Sequence, residues 1–164
     1  MTKYDIAQTY DWNYANAPSH APRIAIPPYP GQWSFCGLPV ASPLGMPAGP
    51  LLNSAWIRHY AALGFDVLTY KTVRSSYRAC YAPPNLLPVA APILTDDAGE
   101  VRESQAAFDS WAISFGMPSK DPEVWMADVA AARAAIGPGQ ALVVSVVASP
   151  EAGWTMDRIA ADFA

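Results

Sequence analysis

Two short segments constrain this chain more than anything else in it. The first, Gly37-Leu-Pro-Val-Ala-Ser-Pro-Leu-Gly-Met-Pro-Ala-Gly-Pro-Leu-Leu-Asn53, is dense in small residues and proline. The second, Tyr70-Lys-Thr-Val-Arg-Ser75, follows an apolar run and brings in a lone lysine. A buried strand ending in small residues, then a helix, then a second buried strand with a lysine at its carboxyl end is how a parallel α/β fold builds the floor and one wall of a ligand site. The small residues let backbone approach a flat ligand closely, because no side chain stands in the way. Lys71 can then offer that ligand a charge or a proton.

The totals narrow the class. A chain of 164 residues is long enough for one domain with a real core and too short for two large ones. Hydrophobic residues make up 52% and charged residues 15%, which argues for a well-buried globular protein rather than a disordered one. The formal charge of −4, with no Lys/Arg cluster, leaves no electrostatic footprint for nucleic acid. No basic stretch leads into an apolar run at the N-terminus, and nothing approaches the roughly 18 to 20 apolar residues of a membrane span. Membrane and nucleic-acid partners are therefore not expected. Cys36 and Cys80 are far apart without a CxxC pair, which predicts no metal site and two reduced thiols in a cytoplasmic setting.

Along the chain, residues 1–32 read as an arm that packs onto the rest, since Trp12, Tyr14 and Tyr29 need cover. Residues 33–164 carry the regular elements. Trp33–Cys36 and Val40–Ser42 predict a hairpin and Leu44–Ala48 a short strand. Asn53 or Ser54 caps a helix ended by Gly64, with Trp56, Tyr60 and Leu63 as its packed stripe and His59 toward solvent. Phe65–Tyr70 is the next strand. The stretch from Thr72 to Lys120 is long against ordinary connections of roughly 2 to 6 residues. It is expected to be functional or to hold small elements of its own, with a turn at 96–99. Asp121 and Pro122 open a helix that Gly137 ends, buried along Trp125, Val129, Ala132 and Ile136. Ala141–Val147 is a continuous apolar run of the kind a parallel sheet buries. Thr155 caps a last helix, with Met156, Ile159, Ala160 and Phe163 on one face. This alternation predicts an α/β fold with a parallel sheet, either open and doubly wound or part of a (β/α) barrel. The hairpin before the first strand fits a barrel with a plugged bottom. The lack of Gly-x-Gly-x-x-Gly after that strand weakens a dinucleotide-binding reading.

Four segments in order resemble the dihydroorotate dehydrogenase family. They are Phe35-Cys-Gly-Leu-Pro-Val-Ala-Ser-Pro-Leu-Gly-Met-Pro-Ala-Gly49, Leu63-Gly-Phe-Asp-Val-Leu-Thr-Tyr-Lys-Thr-Val73, Ser114-Phe-Gly-Met-Pro-Ser119 and Val144-Ser-Val-Val-Ala-Ser149. The resemblance implies an FMN-dependent oxidoreductase on a (β/α)₈ (TIM) barrel, here its N-terminal strands with the preceding short hairpin. It implies that Ala48 and Gly49 lay backbone against the flavin and that Lys71 and Thr72 sit at the ring end. The lysine charge would there favour an anionic reduced flavin. Ser145 would face the same site from the third strand. Ser114, Phe115, Gly116 and Met117 would line the substrate side.

Two departures bear on the substrate. Ile113 stands where the family has a substrate-binding asparagine, and Leu52 where one class has a lysine. Neither side chain can donate a hydrogen bond. These departures put dihydroorotate as the substrate in question and leave a related dihydropyrimidine or another small cyclic substrate open. Length is the larger departure, since a (β/α)₈ barrel typically needs about 250 residues. The general base and the phosphate-holding loops of the family fall outside the matched segments, so no catalytic residue is assigned and the chain alone is expected to be inactive. The competing expectation is a non-catalytic module without flavin, associating into a homo-oligomer through exposed barrel-interior strand faces. A third is an open-sheet dinucleotide-binding domain. Arg74 and Arg78 either coat a loop or attract an anionic substrate; Cys80 reads as an ordinary thiol, and His20 and His59 as solvated.

Overall fold

The computed structural model describes residues 4–20, 24–90, 99–104 and 110–163. The N-terminal arm holds a helix, α1 (Tyr10–Ala15), whose N-cap Thr9 accepts the Trp12 amide at 3.1 Å. Thr9 with Asp11 in the first turn was the sequence signal for it. Asn13, 1% exposed, pins the arm: its amide donates to the Asp5 and Thr9 carbonyls and its oxygen accepts the Asp5 amide. The arm buries Tyr10, whereas Trp12 and Tyr29 stay 43% and 48% exposed, contrary to the expected cover.

The hairpin pairs β1 (Trp33–Phe35) with β2 (Leu38–Val40). Cys36 and Gly37 both have positive φ, so the reversal takes only two residues and β2 begins earlier than the sequence suggested. Next come β3 (Gly45–Met46), α2 (Ser54–Ala61) and β4 (Val67–Val73). Asn53 caps α2, accepting the amides of Ala55 and Trp56 at 3.1 and 3.2 Å, and donates to the Tyr14 carbonyl of the arm at 2.8 Å. Gly64, at φ +90°, turns the chain out of the helix.

The long connection carries β5 (Leu86–Ala90), β6 (Arg102–Glu103) and β7 (Ser110–Ile113), an antiparallel sheet in the order β6-β5-β7. Most of the turn expected at 96–99 lies outside the described residues. Then follow α3 (Pro122–Ala135), β8 (Ala141–Val146) and α4 (Met156–Ala161).

Strands β3, β4 and β8 form a parallel sheet in that order, with helical crossovers between them. The fold is mixed α/β, and among the described residues no barrel closes. Leu68, Tyr70 and Val73 of β4 share one buried core with Leu51, Trp56, Ile57, Ala132 and Ile136. Burying each Leu or Ile there contributes about 1.5–3 kcal/mol. Asp128 of α3 cross-links the layers, accepting the Ser54 amide at 2.7 Å, the Ser54 hydroxyl at 2.5 Å and the Tyr70 phenol at 2.7 Å.

One further expectation is corrected. His59 is 4% exposed, not solvated, because α2 also turns this side of itself inward, next to Trp56 and Tyr60. Met156 at the start of α4 and Phe163 just past its end are 76% and 52% exposed. No helix among the described residues is long and apolar enough to cross a membrane, and no group of metal-ligating side chains comes together among them.

Candidate functional site

The site begins at a β-bulge. Strand β4 pairs with β8 in regular register through Tyr70↔Val144, and the next pair is Val73↔Val146. Lys71 and Thr72 therefore oppose Ser145 alone. Successive strand residues ordinarily point to opposite faces, and an extra residue lets neighbours share a side. Both Lys71 and Thr72 border the same cleft. The expected strand ended at Tyr70; the observed strand runs on to Val73, and the bulge, rather than a strand end, presents the lysine. The Lys71 amide, freed from the ladder, donates to the Leu51 carbonyl at 2.9 Å. That bond holds the Ala48–Pro50 turn beside the lysine.

The opposite wall is the segment from Ser114 to Ser119. Asn85, 6% exposed, donates to the carbonyls of Ser114 and Tyr81 at 2.9 and 3.1 Å, while its own carbonyl accepts the Ser114 amide. Arg78 and Ser119 exchange backbone bonds at 2.9 and 3.0 Å. The Arg74 guanidinium, 6% exposed, donates to the carbonyl of Met117 at 3.0 Å and to that of Ala148. These bonds tie the buried Arg74 side chain to the backbone of two loops. Gly116 and Met117 have φ of +72° and +49°, and a Cβ on Gly116 would stand 2.7 Å from the Tyr81 ring. Only glycine allows that approach.

Between these walls lies an open cleft of about 440 Å³, lined by Gly49, Lys71, Thr72, Tyr81 and residues 113–117. Seven of the nine expected site residues (Gly49, Lys71, Thr72, Ser114, Phe115, Gly116 and Met117) line it together, although they come from three distant segments. Ala48 lies in the turn just before Gly49, outside the lining. Ser145 reaches the site through Thr72, their hydroxyls 2.9 Å apart. A second, mostly apolar chamber of about 240 Å³ adjoins the first and shares Gly49, Lys71, Ile113 and Phe115 with it.

Lys71 is the one ammonium on these walls. It is 8% exposed, and among the described residues its Nζ donates to the Thr72 carbonyl, at 3.3 Å. Burial pushes its pKa down to about 8, and the nearby Arg74 charge acts in the same direction. Cys80, half-buried near Lys71, has its thiol pushed up by burial, which disfavours a reactive thiolate. Tyr81 and Asn85 were not singled out from sequence. Asn85, following Pro83-Pro84 and preceding an apolar strand, was the available signal for a loop organiser.

The comparisons with known proteins agree with the segment order. The chain is 37% identical over 123 residues to a dihydroorotate dehydrogenase of Dictyostelium discoideum, covering 68% of this chain and 33% of that relative. The chain thus spans about a third of the length of the curated relative it matches. No protein-family model matches it, and no solved structure matches it. Over that aligned stretch the chain belongs to the dihydroorotate dehydrogenase family.

Proposed function

We propose that the cleft between the β4 bulge and residues 114–117 is a flavin site, and that the chain is the flavin-facing portion of an FMN-dependent oxidoreductase acting on a dihydropyrimidine or similar small cyclic compound. The convergence of seven expected residues on one cleft carries this reading. The donor set suits the group. Gly49 leaves open space where a Cβ would stand, which lets a flat ring lie on backbone. Lys71 and Thr72 border the same space and offer a cation and a hydroxyl. When bound, FMN supplies the hydride acceptor. The chain's own part is to present Lys71 to the electron-rich end of the ring, to hold the ring between the Gly49 turn and the 114–117 wall, and to keep the adjoining chamber dry.

The proposal extends to the chain's associations. A small-molecule substrate is its partner, and apolar surface at Val146 of β8, at Met156 of α4 and at Phe163 just past that helix is where further protein would associate. A partial (β/α) barrel accounts for the parallel order β3-β4-β8 and its helical crossovers.

The test is the visible spectrum of the purified chain after adding FMN and removing the excess. A retained flavin band that is lost in Lys71→Ala supports the site. A colourless chain sinks it and favours a non-catalytic association module.

A further inference from the structure

Asp66 stands just before the amino end of β4, the strand whose carboxyl half carries Lys71. Two backbone bonds fix it in place. Its amide donates to the Leu44 carbonyl at 2.9 Å, and its carbonyl accepts the Ala141 amide at 2.8 Å. The residue is 8% exposed and lines a pocket of about 350 Å³. Among the described residues no cationic nitrogen pairs with its carboxylate. The side-chain donor it meets there is the Gln140 amide, at 3.3 Å. That NH₂ group has two hydrogens, and the Ala61 and Phe65 carbonyls each lie closer to it, at 3.1 Å. The carboxylate is thus the third and most distant acceptor of a donor with two hydrogens, and most of its accepting capacity is left to the pocket.

The rest of the pocket selects a ligand. Its wall is largely apolar, with Ile26, Pro28 and Leu44 among the lining residues. Ser42, 4% exposed, adds a hydroxyl oxygen that accepts the Leu44 amide at 3.3 Å and keeps a second lone pair. Tyr29, set against Trp33 with ring centroids 5.8 Å apart, brings an aromatic ring of the kind that attracts cations. An anion would be repelled by Asp66. A bound divalent metal takes about six oxygen ligands. No group of three His, Cys, Asp or Glu side chains gathers among the described residues, so Asp66 would have to hold the metal almost alone. A cation with N–H donors and an apolar body suits the carboxylate and the walls together.

We propose that this pocket binds a small organic ammonium, which donates to the Asp66 carboxylate and the Ser42 hydroxyl oxygen and lays its apolar body along Tyr29 and Leu44. The site lies at the amino ends of β3, β4 and β8, since Leu44, Asp66 and Gln140 each directly precede one of those strands. It is separate from the cleft at Lys71 and does not depend on the flavin reading. Because the Asp66 backbone is held by the segments leading into both neighbouring strands, the carboxylate is positioned before any ligand arrives.

The experiment compares benzylammonium with benzyl alcohol, which have the same ring and differ in charge. The methyl NMR signals of Ile26, Leu44 and Ala61 in the 164-residue chain are followed during each titration at neutral pH. Benzylammonium is expected to shift all three, with benzyl alcohol roughly tenfold weaker or more. Asp66→Asn keeps the shape of the side chain and should bring benzylammonium down to the level of the alcohol. Unchanged methyl signals of Leu68 and Val73 would show that this variant is folded. Tyr29→Ala, at a position 48% exposed, is a second variant that folding tolerates and should weaken benzylammonium by a smaller factor. Equal binding of the two probes overturns the proposal, as do shifts that persist in Asp66→Asn or that spare the pocket methyls. Displacement of benzylammonium by an equal concentration of Mg²⁺ would assign the pocket to a metal ion and overturn it as well.

Discussion

Across the bulge in β4, the Thr72 and Ser145 hydroxyls meet at 2.9 Å. The bond spans the two strands at the point where their ladder breaks, and it gives Ser145 a role although that residue is not on the cleft wall. Ser145→Ala leaves the Thr72 hydroxyl with one partner fewer and is expected to cost about 0.5–1.5 kcal/mol. Urea denaturation measures the loss. FMN retention should fall less than in Lys71→Ala; an equal fall would mean that Ser145 itself touches the ligand.

Lys71 gives stability a pH dependence. Burial lowers its folded pKa from 10.5 to about 8. Between those values the unfolded chain binds more protons than the folded one, so stability rises with pH there, and below about 8 the whole penalty is present. Lys71→Met should accordingly be more stable than the unaltered chain by about 2–3 kcal/mol at pH 6.5. The advantage should shrink steadily between pH 8 and 10.5. A stability gap that does not change over that range would show that the ammonium is not desolvated.

Asp128 holds three donors from two other elements. Asp128→Ala strands the Ser54 amide and the buried Tyr70 phenol and is expected to cost about 3 kcal/mol, with Tyr70→Phe costing about 1–2 kcal/mol. In a double-mutant cycle the two should couple, since Tyr70→Phe removes nothing further once the carboxylate is gone. Additive losses would place their effects in separate contacts.

Gly116→Ala meets two obstacles, a φ of +72° and the Tyr81 ring at 2.7 Å from the new Cβ. A loss of about 1–3 kcal/mol is expected. In a Tyr81→Ala background the ring contact is gone and only the backbone term remains, so the loss should be smaller. The same loss in both backgrounds would assign the whole effect to φ.

Local chemistry was legible where it acts over a few residues. Asn53 and Thr155 cap helices as their types and positions indicate, Gly64 ends α2, and the apolar run from Ala141 becomes a parallel strand. The helix α1 was legible in Thr9 and Asp11 but was hidden by the prolines and aromatics around it. His59 was misplaced because helical spacing from Trp56 and Tyr60 defines a stripe but not its width, and α2 is buried on more than one side. Of the residues read as the α4 stripe, Ile159 is half-buried, Met156 stays exposed, and Phe163 falls just past the helix end.

By itself the sequence determined which residues could form a site: small residues after one strand, a lysine after another apolar run, and a Ser-Phe-Gly-Met loop. These are local signals, set by side-chain size, charge and backbone preference. Only the tertiary structure decided that they meet. Lys71 and Thr72 share a cleft because β4 carries one more residue than β8 across a single break in register. Such a bulge depends on pairing with a strand about seventy residues away, which no local pattern encodes. The 114–117 wall stands opposite because Asn85, Arg74 and the Arg78–Ser119 pair bind its backbone from outside. The apolar chamber likewise arises only when the arm's Tyr4 and Tyr10 close over Leu52 and Ile113, residues distant in the chain and adjacent in the fold.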